Sequence, residues 1–135
     1  DGARAAVDVP LTTALNQRVR EDIPVYAEFL TNVGAVAVAV GDLATGRRRW
    51  EEALALRERH GLVETPRGLD ALANLGWLAR AEGRYEDAAA YYERTAALSR
   101  RLLGEGHVTH LRQVWLYADA LFRIGRPRTA LARLR

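Results

Sequence analysis

The 135-residue chain contains no cysteine, no methionine and no lysine. Without cysteine there can be no disulfide, no thiolate zinc site and no cysteine nucleophile. All 20 basic residues are arginine. Arginine, alanine and glycine have GC-rich codons, so the composition points to a GC-rich bacterial source. The lack of methionine, even at the first position, reads as a processed chain or a piece of a longer protein. No apolar run approaches the ~18 residues of a membrane span. The N-terminus lacks a basic region followed by an apolar core, so no signal peptide is expected and the cytoplasm is the expected location. With 49% apolar and 27% charged residues, intrinsic disorder is excluded.

What is present is helix-forming. Alanine (24) and leucine (19) make up nearly a third of the chain, and both favour helices. The length suits one domain. Within it a pattern recurs every 42 residues. Gly34, Gly76 and Ala118 superimpose, and so do Gly41, Gly83 and Gly125. Gly46, Ala88 and Ala130 follow twelve residues after each small residue, and Trp50, Tyr92 and Leu134 follow four later. This is the pattern of an αα-hairpin. A first helix ends at a glycine able to adopt the left-handed conformation, and a short connection makes the second helix antiparallel. The spacing predicts first helices near 24–40, 66–82 and 108–124, and second helices near 43–60, 85–103 and 126–135. A leading helix is expected over 11–21, entered after Pro10 and ended before Pro24, as the second helix of a degenerate preceding repeat. Ala35 to Val40 alternates as a strand would, but the repeat register assigns it to a helix.

Leu72-x-x-Leu75-Gly76-x-x-Ala79, followed by Gly83, Ala88 and Tyr92, resembles the tetratricopeptide repeat. Leu103-Gly104-Glu105-Gly106-His107 resembles the connector of the kinesin light chain type of that repeat. The resemblance covers residues 24–135, with Ala79 in place of tyrosine, Gly46 in place of alanine and Pro127 opening the last helix as departures. It implies an all-α fold: a right-handed α-solenoid of about three helical hairpins, at 24–60, 66–103 and 108–135, plus the leading helix. It also implies that the first helices line a concave groove. The function it implies is non-catalytic binding of a peptide or protein segment, in a bacterial regulatory or signalling protein.

The residues give little support to other chemistry. His60, His107 and His110 barely reach the ligand number that zinc needs. His107 reads as a connector histidine bonded to backbone and His110 as a surface histidine, so neither metal nor cofactor is expected. No nucleophile elbow, phosphate-cradling loop or paired-carboxylate motif occurs, which argues against an enzyme. Arg47-Arg48-Arg49 is basic, but Glu51 and Glu52 stand four residues beyond Arg47 and Arg48, where helix neighbours compensate them. Nucleic acid is therefore the weaker alternative partner, alongside a role as accessory domain of an enzyme whose active site lies elsewhere.

The groove face is read from the register. Leu72, Leu75, Gly76 and Ala79 form a packing stripe, and the opposite face carries Asn74, Trp77 and Arg80. Asn32 corresponds to Asn74, while Trp115 and Phe122 lie on the same face one repeat on. The expected contacts are Asn32, Asn74, Trp77, Arg80, Trp115 and Phe122. The resemblance implies that the asparagines hold a peptide backbone, since an amide both donates and accepts. They would otherwise bridge adjacent helices. Trp77 would be a binding hot spot or pack against a neighbouring first helix. Arg80 would meet an acidic group or a C-terminal carboxylate. No polar cap follows Arg135, so the open end is expected to be covered by further chain or by a second copy.

Overall fold

The computed structural model describes the backbone of residues 2–135, and the side chains of Arg18 and of residues 21–135. Six helices follow one another: α1 (Gly2–Ala39), α2 (Leu43–Arg59), α3 (Pro66–Ala81), α4 (Tyr85–Leu103), α5 (Val108–Arg123) and α6 (Pro127–Leu134). No strand occurs among the described residues. They form three antiparallel pairs, α1–α2, α3–α4 and α5–α6, and each second helix packs on the next first helix.

One boundary differs from the sequence reading. The expected break between a helix at 11–21 and another from Pro24 is absent, and α1 runs through both Pro10 and Pro24. Proline removes one ladder donor. Between Arg18 and Pro24 stand Val19, Arg20, Glu21, Asp22 and Ile23, with no glycine to take the left-handed conformation that closes the three hairpin turns. The helix therefore forgoes one hydrogen bond and continues. The alternating segment Ala35 to Ala39 is helical, as the register required.

The three hairpin turns are built alike. At Gly41, Gly83 and Gly125 the φ angles are +89°, +74° and +80°. In each turn the next residue's N–H reaches back five residues: Asp42 to Ala37 (2.8 Å), Arg84 to Ala79 (2.8 Å) and Arg126 to Leu121 (2.9 Å). This pairing satisfies carbonyls that a helix end leaves open. The starts are capped by different means. Asp42 Oδ1 accepts from Thr45 N (3.1 Å), Thr65 Oγ1 from Gly68 N (3.0 Å), and His107 Nδ1 from Thr109 N (3.1 Å).

Packing follows the small-residue register. A Cβ on Gly34 would stand 2.5 Å from the Trp50 ring, and one on Gly76 would stand 2.8 Å from Tyr92 Cε1. Trp50 and Tyr92 are buried in consequence, as are Ala88, Ala118 and Ala130. Trp50, Leu54, Leu72, Leu75, Leu78 and Leu98 fill the space among α2, α3 and α4. Ala79, Ala88, Tyr92, Tyr117 and Leu121 fill that among α3, α4 and α5.

The junctions between hairpins contain polar groups. Between α4 and α5, Thr95 Oγ1 donates to Gln113 Oε1 (3.0 Å), and Ser99 Oγ lies 3.0 Å from His110 Nδ1. All four residues are buried. His110 is thus an interior residue, correcting its reading as a surface histidine. Its neighbour Leu111 takes the outward position instead. At the corresponding α2–α3 positions Arg57 replaces Ser99 and Gly68 replaces His110, so a large side chain enters where its counterpart is missing. Gly68 is confined further, because a Cβ there would meet the Val63 carbonyl oxygen at 1.9 Å. Gly106 has nothing within 4 Å of the same point. Gly68→Ala is expected to cost about 3 kcal/mol and lower Tm by roughly 10 °C. Gly106→Ala should leave it unchanged, and thermal circular dichroism reads both.

Candidate groove on the first helices

The first helices meet mainly through side chains. Arg67 Nη1 on α3 pairs with Glu28 on α1 at 3.2 Å, and Arg80 Nε on α3 pairs with Asp119 Oδ2 on α5 at 3.1 Å. Both pairs link residues 39 apart, one helical turn short of the repeat. Between these ties the first helices present the face selected from the sequence. Trp77, Trp115 and Phe122 are 50%, 52% and 66% exposed. Asn32 is exposed and Asn74 is half-buried. Neither amide has a hydrogen-bond partner among the described residues, so neither bridges two helices.

These residues do not form one pocket. Trp115 and Phe122 line a cleft of about 340 Å³ between α5 and α6, with Asp119, Pro127, Leu131 and Leu134. Asn32 lines a second depression of about 510 Å³ at the other end, with Val25, Glu28, Phe29, Arg57 and Arg67. Asn74 and Trp77 lie on α3 between the two.

Arg80 is not free. Asp119 holds it, and Asp119 also accepts from Arg123 Nε at 3.1 Å. The Arg123 guanidinium lies 5.1 Å from the Tyr85 ring centre, and its bond to Asp119 holds its pKa above the ordinary arginine value. One carboxylate thus answers two guanidiniums, leaving this stretch positive. The sequence reading gave Asp119 no role. Its i,i+4 spacing to Arg123 was the available signal, whereas the tie to Arg80 needs the third dimension. A second convergence was also missed. Arg57, buried in α2, points Nη2 at Glu28 Oε2 (3.6 Å) and keeps its Nε without a partner.

Two of the three arginines in the α2 run are paired with carboxylates, though not with the expected ones. Arg49 pairs with Glu52 at 3.0 Å, Arg47 with Glu82 of the next hairpin at 3.7 Å, and Arg48 donates to Thr45 Oγ1. His107 and His110 have separate duties at a helix start and in the interior. Among the described residues no cluster of metal-ligating side chains occurs. No helix among them is long and apolar enough to cross a membrane.

Residues 26–101 match the tetratricopeptide repeat family. The chain belongs to that family. The crystal structure of BtubC (BKLC) from P. vanneervenii superimposes with a TM-score of 0.73 at 17% identity, over 84% of this chain. At that identity the likeness establishes the fold, an α-solenoid of tetratricopeptide hairpins. The chain spans 46% of that structure's length. No curated protein shows a significant sequence match. Tetratricopeptide repeats are scaffolds for protein–protein interaction and are generally non-catalytic.

Beneath the groove lies Tyr92, fully buried, its hydroxyl without a partner. Burial pushes its pKa up; Arg80 offsets this and Asp119 adds to it. Tyr91 is raised in the same direction, chiefly by burial. The folded state therefore favours the neutral phenol, while the unfolded chain ionises near pH 10. This contribution to stability is complete below about pH 10 and falls as pH rises beyond it. Tyr92→Phe is expected to keep or raise Tm at neutral pH, because an unsatisfied hydroxyl leaves the interior. It should also reduce, without abolishing, the drop in Tm above about pH 10. A Tm loss at neutral pH would show that the hydroxyl is satisfied.

Proposed function

We propose that the chain is a non-catalytic recognition module that holds a peptide or protein segment along its first-helix face, in a cytoplasmic bacterial regulatory or signalling protein. The observation that carries this reading is the set of half-exposed aromatic side chains on α3 and α5, Trp77, Trp115 and Phe122, with the unpaired amides of Asn32 and Asn74 beside them. Aromatic rings supply large contact area at low entropic cost, and such residues dominate binding energy. The amides pair with backbone groups of an extended segment whatever its sequence. Arg80 and Arg123, sharing one carboxylate, favour an acidic residue in the ligand. Nucleic acid is disfavoured because two of the three arginines in the α2 run are held by carboxylates of the chain itself.

The test is a random peptide library panned against the immobilised chain, followed by affinity measurement on the enriched peptide. Trp77→Ala is expected to weaken binding about thirtyfold, or ~2 kcal/mol. Asn74→Ala should cost about 1 kcal/mol. Arg48→Ala on α2 should change nothing. Loss of binding in Arg48→Ala alone, with affinity falling steeply in salt, would move the reading to nucleic acid.

A further inference from the structure

The formal net charge of +3 is unevenly distributed. From Pro24 to Leu103 arginines and acidic residues are equal in number, whereas from Val108 to Arg135 six arginines face one carboxylate, Asp119. Asp119 is taken by Arg80 and Arg123. The third hairpin therefore carries positive charge that nothing within it balances.

Part of that charge gathers at the α5–α6 turn. In the α3–α4 turn Arg84 is held by Glu82 at 3.0 Å and by Asp87 at 2.8 Å. One repeat on, Arg126 takes the place of Arg84, but Ile124 replaces Glu82 and Thr129 replaces Asp87. Arg128 replaces Glu86, so one charge is reversed as well. Arg126 and Arg128 are both exposed, and neither guanidinium has a partner among the described residues. Their exposure belongs to the turn. Asp42 and Ala44 of the first hairpin, and Glu86 of the second, occupy the same positions and are exposed with a further hairpin packed in place. A hairpin following α6 would leave the two arginines open too.

The neighbouring turn decides which anion fits. Arg123 Nη1 donates to Tyr85 Oη at 3.3 Å, which puts the α5–α6 turn beside the start of α4. Glu82, Glu86 and Asp87 are exposed there. Packed helices lie about 8–10 Å apart, close to the Debye length of about 8 Å at physiological salt. A nucleic-acid duplex or an anionic membrane laid along this edge covers both turns and meets like charge at the second. A short acidic segment touches the α5–α6 turn alone. Each guanidinium can grip a carboxylate through two parallel hydrogen bonds.

We propose that the α5–α6 turn docks a short acidic segment of a partner protein, with Arg126 and Arg128 each pairing with an aspartate or glutamate. The site lies outside the six groove contacts, so it holds or fails whatever becomes of the groove reading.

The probe is a hexaglutamate peptide titrated at low salt into the isotopically labelled chain and followed by amide NMR shifts. The shifts should centre on residues 124–129 and shrink as salt is added. The double variant Arg126→Ala/Arg128→Ala should weaken the interaction roughly tenfold, as the loss of two exposed ion pairs implies. If it loses helicity, Arg126→Gln/Arg128→Gln takes its place with the same expected loss. Arg48→Ala/Arg59→Ala removes equal charge elsewhere and should leave the affinity within about twofold. Absence of binding to the wild-type chain overturns the proposal. So do shifts centred elsewhere, or an equal loss in the Arg48/Arg59 variant, which would make the effect one of net charge. A short DNA duplex or phosphatidylserine vesicles binding at the same turn more tightly than the peptide would overturn it in favour of that partner.

Discussion

The architecture depends on a steric vacancy repeated at fixed intervals. Where α1 meets α2, and α3 meets α4, a glycine on the first helix lets an aromatic ring of the second lie against bare backbone. That approach sets the distance between paired helices, and from it follow the burial of Trp50 and Tyr92 and the alignment of Ala88 with its neighbours. Glycine inside a helix costs ~1 kcal/mol against alanine. Burying a large ring recovers more than that. In the third hairpin Ala118 and Leu134 occupy these positions, and Leu134 remains half-exposed, so the same vacancy is only partly used.

The polar groups at the junctions decide how one hairpin addresses the next. A buried hydroxyl or amide is tolerated only with a partner, which makes the Thr95–Gln113 and Ser99–His110 contacts specific to one alignment of α4 on α5. Between α2 and α3 the requirement is met by charge instead. Arg57 spans to Glu28 on α1 while Arg67 approaches the same carboxylate from α3. Glu28 thereby joins three helices at one point, and the groove face of α1 is held in place by a residue that itself lines the adjoining depression.

Much of this was legible in the sequence because it is periodic. The turn glycines, the small residues and the aromatics over them recur at 42 residues, and periodicity reports helix faces directly. The six candidate residues could be placed on the first helices for the same reason. Three features were not legible. The continuity of α1 past Pro24 depends on the absence of a turn, which weighs less in a sequence than the presence of proline. The burial of His110 depends on Ser99, eleven residues earlier across a turn, offering a partner. The ties of Arg80 and Arg47 reach 39 and 35 residues along the chain, distances at which no local rule pairs charges. Those ties turned an arginine marked for an incoming carboxylate into one that already holds a carboxylate of its own chain.

The two junctions also differ in how firmly they couple. In a linear array stability is the sum of unit terms and nearest-neighbour terms, so the weakest link decides where the array parts. The link between the second and third hairpins rests on hydrogen-bond contacts of 3.0 Å between Thr95 and Gln113 and between Ser99 and His110. The link between the first and second rests on Trp50 and Leu54 packed with Leu69, Leu72 and Leu75, and on the partly exposed ion pairs of Arg47 with Glu82 at 3.7 Å and Arg67 with Glu28 at 3.2 Å. The α2–α3 seam is the less extensive of the two, so under tension or heat the first hairpin is expected to part before the other two. A segment bound across that seam would feel the two sides as separate jaws.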